Sequence, residues 1–284
     1  MVAVRFMGPD EVRQSLAMPD AIAAMRLAFG DDREVPVRSV LGNSAFMVGR
    51  VGSSSGVKVV SLVPGNPSGL VAVFAGDGSP IGVVDGPTLT AIRTGAGSGL
   101  ATDLLASPDV STLAMFGAGA MAFDQIQAVM SVRPITEVLV WSRSEERATT
   151  LAERVGGEVC LDAELAASLA DVICTATPSM EPLFPKEALQ ETVHLNAIGA
   201  YTPQMCELPP GLVLQAFVVV DDRAAAAAEA GDLLQAGKAP DAEMSDLLAG
   251  RVIPPHRGHT VFKSVGIASQ DVAAAVAALA SGPS

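Results

Sequence analysis

The sequence predicts an α/β protein, a Rossmann-type doubly wound parallel sheet joined to a discontinuous α+β domain. Three observations carry this. From residue 111 onward, short apolar runs alternate with helical segments, the βαβ pattern of a parallel sheet. A glycine-rich turn, FGAGAMA, joins the first of those runs to a helix. The segment 261–280 comes after the sixth strand of that alternation has closed the parallel sheet, ends in an apolar helix and is expected to pack back on the first domain. The expected division is 1–107 with 260–284 as one domain and 108–259 as the other. At 284 residues and 49% apolar content, the chain has enough core for two domains.

Residues 10–29 read as a helix interrupted by Pro19, with Pro19 and Asp20 in the first turn of its second part. Residues 35–50 alternate loosely and hold Arg38. GVKVVSLVPGNP (56–67) is a strand running into a turn. Lys58 sits inside its apolar run, so its charge must find an anion or a cavity, or else the side chain snorkels outward from an edge. VAVFAGDGSPIGVVD (71–85) is a hairpin around a Gly-Asp-Gly-Ser turn. The helix over 86–106 contains Gly95, Ala96, Gly97, Ser98 and Gly99. Glycine is costly inside a helix, so this face predicts close packing or a ligand against the backbone. Arg93 projects from its start, toward a site or toward solvent.

In the second domain the expected strands are 111–116, 137–141, 158–160, 171–176, 192–198 and 217–221. The helices are 120–132, 144–155, 162–169, 185–190 and 224–237, with Ser269 as N-cap of the C-terminal helix. Gly117, Gly119 and Ala122 fit the dinucleotide fingerprint G-x-G-x-x-G/A. The first glycine permits the tight turn and the second lets backbone approach a pyrophosphate. The small third residue lets helix pack on strand, and the helix N-terminus offers its N–H groups to phosphate. An NAD site usually has an acid at the end of the second strand, for the ribose hydroxyl. Here that strand ends Trp141-Ser142-Arg143-Ser144, with no acid before Glu145. Ser142 and Arg143 can hold a 2′-phosphate, which favours NADPH over NADH. Trp141 is either part of this site or strand core.

A net charge of −13 argues against nucleic acid or an anionic membrane as the main partner. Anionic ligands must then meet locally placed cations. Cys160, Cys174 and Cys206 are scattered, without CxxC spacing, and read as reduced thiols of a cytoplasmic protein. His194, His256 and His259 lack metal-ligand spacing and read as one strand and two loop residues, so no metal site is expected. The opening MVAVRFMGPDEV has no secretory pattern, and no apolar run reaches the ~20 residues of a membrane span.

The runs TLTAIRTGAGSGLATDLLA, FGAGAMA, DVICTATPSMEPLF, HLNAIGAYTP, EL at 207–208, VVVDD, EAGDL and VFKSVGIASQD occur in this order. Together they resemble the ornithine cyclodeaminase/mu-crystallin family over nearly the whole chain. The resemblance implies a homodimer in which the domain built from both chain ends carries the dimer contact and much of the substrate site. The other domain would bind NAD(P). It further implies that Arg38, Lys58 and Arg93 hold a substrate carboxylate, with Lys58 nearest the reacting imine. Thr94, Gly119, Ala120, Ser142, Arg143, Thr175, Asn196 and Ser264 would contact the cofactor.

Two departures stand out. The family's cyclodeaminases carry an acid/base Asp in G-[AG]-D-x-P, where this chain has Tyr201. A phenol of ordinary pKa ~10 replaces a carboxylate poorly as a base near neutrality, and Tyr201 can equally line a pocket. The stretch between Asn66 and Asp85 is also shorter than in the family. The later motifs look most like those of pyrroline/piperideine-2-carboxylate reductases. The expected activity is therefore NADPH-dependent reduction of a small cyclic imino acid to L-proline or L-pipecolate. The alternatives are an ornithine cyclodeaminase with bound NAD, an alanine-type amino-acid dehydrogenase, and a non-catalytic NADPH-binding protein.

Overall fold

The computed structural model describes residues 4–63 and 68–281. The turn expected after 63 therefore falls largely outside the described residues. The chain divides into two compact units, Met1–Gly97 with Gly266–Ser284, and Ser98–Val265.

The first unit runs β1 (Phe6–Met7), α1 (Pro9–Ser15), α2 (Met18–Ala28), β2 (Arg33–Glu34), β3 (Ser39–Leu41), β4 (Ser44–Val51), β5 (Ser54–Ser61), β6 (Gly69–Phe74) and β7 (Pro80–Asp85). The long helix α3 (Gly86–Leu105) follows, and the division between units falls inside it. The helical break expected at Pro19 lies earlier, at Leu16–Ala17, and Pro19 occupies the first turn of α2, where its missing N–H costs nothing. The strands form a mainly antiparallel sheet in the order β1-β7-β6-β5-β4-β2, with β3 on β4 and β1 parallel to β7. The Asp85 carboxylate accepts from Thr88 N–H and caps the start of α3.

The second unit continues through β8 (Thr112–Phe116), α4 (Ala122–Val132), β9 (Glu137–Trp141), α5 (Glu145–Val155), β10 (Glu158–Val159), α6 (Ala163–Leu169), β11 (Val172–Thr175) and β12 (Val193–Ala197). Then come α7 (Pro210–Gln215), β13 (Phe217–Val220), α8 (Arg223–Glu229), α9 (Gly231–Ala236), β14 (Ala242–Glu243), α10 (Met244–Leu248) and β15 (His259–Lys263). All strand pairs are parallel, in the order β10-β9-β8-β11-β12-β15-β13-β14. Both faces are covered: Leu113 and Met115 of β8 join one apolar cluster, Ala114 and Phe116 the other.

Several local expectations need correction. The sixth strand does not complete the sheet, because β15 inserts between β12 and β13. Its residues, HTVFK, lie next to the C-terminal helix in sequence, and nothing local reveals so distant a partner. His259 opens that strand instead of lying in a loop. The helix expected over 185–190 is a single 3-10 turn, Lys186–Ala188. The one expected over 224–237 breaks at Ala230 into α8 and α9. Between the fifth and sixth expected strands lies one further helix, α7, which opens on Pro210, since proline is tolerated in a first turn.

The last helix, α11 (Ala268–Ser281), returns to the first unit and lies on its sheet. Three glycines make the seat. A Cβ on Gly49 (β4) would stand 2.8 Å from Ala268 Cβ, one on Gly56 (β5) 3.0 Å from Val272, and one on Gly82 (β7) 2.8 Å from Leu279. Eleven residues of helix rise ~16 Å, and three inter-strand steps cover ~14 Å, so the spacing along helix and sheet agrees. Ser269 is not the N-cap: it lies within α11 with its Oγ buried and without a hydrogen-bond partner, while Ile267 N–H donates to Gln270 Oε1. Gly49→Ala should lower stability by about 1–3 kcal/mol through overpacking against α11, read as a lower urea midpoint. An unchanged midpoint would contradict the seat.

Candidate functional site

Strand alternation places Lys58 on the sheet face under α11, in register with Met47 and Val71. It does not snorkel, being only 5% exposed. Its Nζ donates to Asp271 Oδ1 at 3.1 Å and to Thr90 Oγ1 at 2.7 Å, and Thr90 in turn donates to Gly86 O. Arg93 is equally buried. Its Nε donates to the same Asp271 oxygen at 3.1 Å and its Nη1 to Gln270 Oε1 at 3.1 Å. Arg38 Nη2 donates to Gly266 O at 3.0 Å. Gly266 has φ +80°, and a Cβ there would lie 3.0 Å from the Arg93 guanidinium. The three cations expected from sequence therefore gather around the Gly266–Asp271 segment.

Burial pulls the Lys58 ammonium down to about 8; Asp271 opposes that fall, and Arg93 and Arg38 add to it. Burial also works to raise the Asp271 carboxyl, but Arg93 and Lys58 outweigh it and hold it below its ordinary value. An ammonium has three donors, and two of those on Lys58 are engaged within the protein. Such a cluster suits a buried anion such as a carboxylate. Thr94 lies one residue along α3 and is also buried. At Gly97 the small-residue face of α3 meets protein: a Cβ would stand 3.2 Å from Gln270 Nε2 and 3.6 Å from Phe29.

In the second unit the strand order reverses at β8, and the glycine loop leaves its carboxyl end. Open parallel sheets bind ligands at such a switch point. Gly117 has φ +109°, and a Cβ there would meet Ala176 O at 2.6 Å. Gly119 has open space where a Cβ would be, and Ala120 is exposed. The N-cap residue of α4, Met121, makes no side-chain cap. An uncapped helix start above an open glycine fits a pyrophosphate. Ser142 Oγ accepts from Ser144 N–H, and Arg143 is exposed at the end of β9. Trp141 packs on Phe116 with ring centroids 5.6 Å apart, so it is at least partly core.

Three expected cofactor residues have their side chains engaged internally. Thr175 Oγ1 donates to Glu207 Oε2, and Ser264 Oγ donates to Asp221 Oδ2. Asn196 Nδ2 donates to Thr102 Oγ1, and its Oδ1 pairs with His194 Nε2. Burial holds that imidazole down to about 3, hence neutral near pH 7. Tyr201 is 51% exposed.

Asp271, Gln270 and Gly266 join the site without having been expected there, and so does a second buried network. Glu207, fully buried, accepts from Thr175 Oγ1, from Thr177 N–H and Oγ1, and from the N–H groups of Gly199 and Ala200. It joins the ends of β11 and β12. Asp232 Oδ1 accepts from Glu207 N–H and Leu208 N–H, and its Oδ2 lies 2.8 Å from the buried Lys263 Nζ. The signal was available in Asp271 itself, a lone acid in the Ala-rich stretch ASQDVAAAVAALA. The argument applied to Lys58, that a buried charge needs a partner, applies equally to it.

Comparison with known proteins bears on both units. The profile of the ornithine cyclodeaminase/mu-crystallin family matches residues 41–279. A Δ1-pyrroline-2-carboxylate reductase of Bacillus cereus is 35% identical, over 93% of this chain and 92% of its own. The ketimine reductase mu-crystallin of Mus musculus is 36% identical, over 76% of this chain and 69% of its own. The Thermococcus litoralis Δ1-pyrroline-2-carboxylate reductase, solved with NADH and L-proline, superposes with a TM-score of 0.91 at 27% identity, over 97% and 96% of the two chains. The chain belongs to the ornithine cyclodeaminase/mu-crystallin family.

Proposed function

We propose that this protein is an NADPH-preferring reductase of cyclic ketimine carboxylates, converting Δ1-pyrroline-2-carboxylate or Δ1-piperideine-2-carboxylate to L-proline or L-pipecolate. The observation that carries the reading is the gathering of Lys58, Arg93 and Arg38 around one segment of the first unit. A planar imino acid offers one carboxylate to such a cluster. The B. cereus, mouse and T. litoralis relatives, named as reductases of such imines, support it.

When bound, a reduced nicotinamide supplies a hydride to the imine carbon. The uncapped start of α4 and the Gly117–Ala120 loop hold its pyrophosphate. Ser142 and Arg143 hold the 2′-phosphate, with no acid at the strand end to repel it. Arg38, Lys58 and Arg93 bind and orient the substrate carboxylate, and the free N–H of Lys58 faces the ligand. Tyr201 stands where the family's cyclodeaminases need a carboxylate base, which favours reduction over deamination.

The outer face of the first unit's sheet is apolar. One row runs Phe6, Val83, Ala72, Val57, Val48 across five strands in register. Phe6 is 56% and Val48 47% exposed, and Leu70 and Phe74 extend the patch. A patch of this kind needs cover, and a second copy of the chain is the proposed occupant, giving a homodimer. The same fold carries no helix long and apolar enough to cross a membrane among the described residues.

With Δ1-pyrroline-2-carboxylate and no ammonia, NADPH oxidation should be fast and NADH oxidation slower. Loss of neither refutes the reading, and equal rates refute the cofactor preference. Lys58→Ala should lower kcat/KM by roughly 10- to 100-fold, the worth of one charge-assisted hydrogen bond, with NADPH affinity retained. Because Lys58 loses its proton at about 8, kcat/KM should hold below that pH and fall as pH rises through it. Val48→Lys should convert the dimer to a monomer by sedimentation velocity, and a wild-type monomer would refute the assembly.

A further inference from the structure

Asp271 is buried against two of the cations and pairs with both. It is 1% exposed, and one of its oxygens, Oδ1, receives both the Lys58 ammonium and the Arg93 Nε at 3.1 Å. It projects from the first turn of α11, which the Gly49, Gly56 and Gly82 seat fixes on the sheet. The donors to its Oδ1 are the cations themselves, so its contacts there are with Lys58 and Arg93. We propose that Asp271 is a positioning residue for the substrate carboxylate: by sharing Oδ1 between Lys58 and Arg93 it fixes both donors as a pair, and it acts on the substrate only through them. This rests on the reading of Lys58 and Arg93 as carboxylate-binding groups.

The charge arithmetic explains why the fold needs it. Lys58 is faced by Arg93 and Thr90 from α3, by Asp271 from α11, and by Arg38 from the segment before β3. Two buried cations and the half-buried Arg38 gather here, and Asp271 is the acid that Lys58 and Arg93 share. With it ionised the cluster carries two net positive charges, enough to attract a monoanion. Without it, repulsion and burial both favour loss of the Lys58 proton, and Arg93 loses the acceptor for its Nε. The Asp271 carboxylate raises the Lys58 ammonium and the arginines lower it, so neutralising position 271 must move that titration to lower pH.

The chain has only four lysines, Lys58, Lys186, Lys238 and Lys263, so lysine labelled with ¹³C at Cε gives four resolvable signals. Lys58→Ala identifies one of them. In the wild type that signal should titrate near 8. In Asp271→Asn its midpoint should fall by about one pH unit or more, and the alkaline limb of kcat/KM should fall with it. Asp271→Glu, which keeps the charge, should hold the midpoint near that of the wild type. It serves as the test if the Asn variant does not fold, and a Glu midpoint more than about one unit lower overturns the proposal. A Lys58 midpoint unmoved in Asp271→Asn overturns it, as does a moved midpoint with an unmoved limb. A failed reductase reading looks different: Lys58 titrates as stated, but the wild type does not reduce the imine.

Discussion

A charge taken out of water must be met by another, and that constraint shapes both units. Moving an ammonium or guanidinium into a low-dielectric interior costs several kcal/mol unless paired and hydrogen-bonded. In the first unit Lys58 and Arg93 meet Asp271. In the second, Lys263 on β15 meets Asp232, which holds the backbone leading from Glu207. Neither arrangement is the cheapest way to fill a core. In the first unit the pairing keeps cationic donors inside the fold, which an apolar core could not supply. In the second it anchors the backbone of Glu207, whose carboxylate joins the ends of β11 and β12 at the carboxyl edge of the sheet, the edge where the glycine loop also lies.

Backbone proximity does the rest. Helix α11 delivers Asp271 to the right place because glycines let it lie close on the sheet, and its own small residues answer them. Gly266, with its positive φ, lets the chain turn into α11 while the Arg93 guanidinium rests against it and Arg38 binds its carbonyl. Gly117 does the corresponding work at the end of β8, where the neighbouring strand's Ala176 leaves no room for a side chain.

Much of this was legible in the sequence. The βα alternation, the FGAGAMA loop and the missing acid after Val140 are local signals with local causes. Lys58 betrayed itself by lying in an apolar run, and Arg93 by opening a helix of small residues. What escaped was non-local. HTVFK enters the sheet between strands far away in sequence, and no periodicity reports that. Glu207 and Asp232 bind mostly backbone groups of distant loops, so their roles exist only in the folded chain. Asp271 was the exception, since a single acid in an alanine-rich helix asks for a partner. Ser269 has the residue type of a cap, yet the neighbouring Gln270 supplies the acceptor. Tyr201 remains half exposed, consistent with a pocket residue and with no buried base at that position.

The proposed reaction is hydride delivery to the carbon that bears the carboxylate. The direct measurement uses NADPH carrying deuterium at both C4 positions, with Δ1-pyrroline-2-carboxylate in ordinary water, and mass analysis of the proline formed. The expected product is L-proline one mass unit heavier, with the label at C2, and no ammonia released or consumed. Unlabelled proline, or product that forms only with ammonia present, would contradict it.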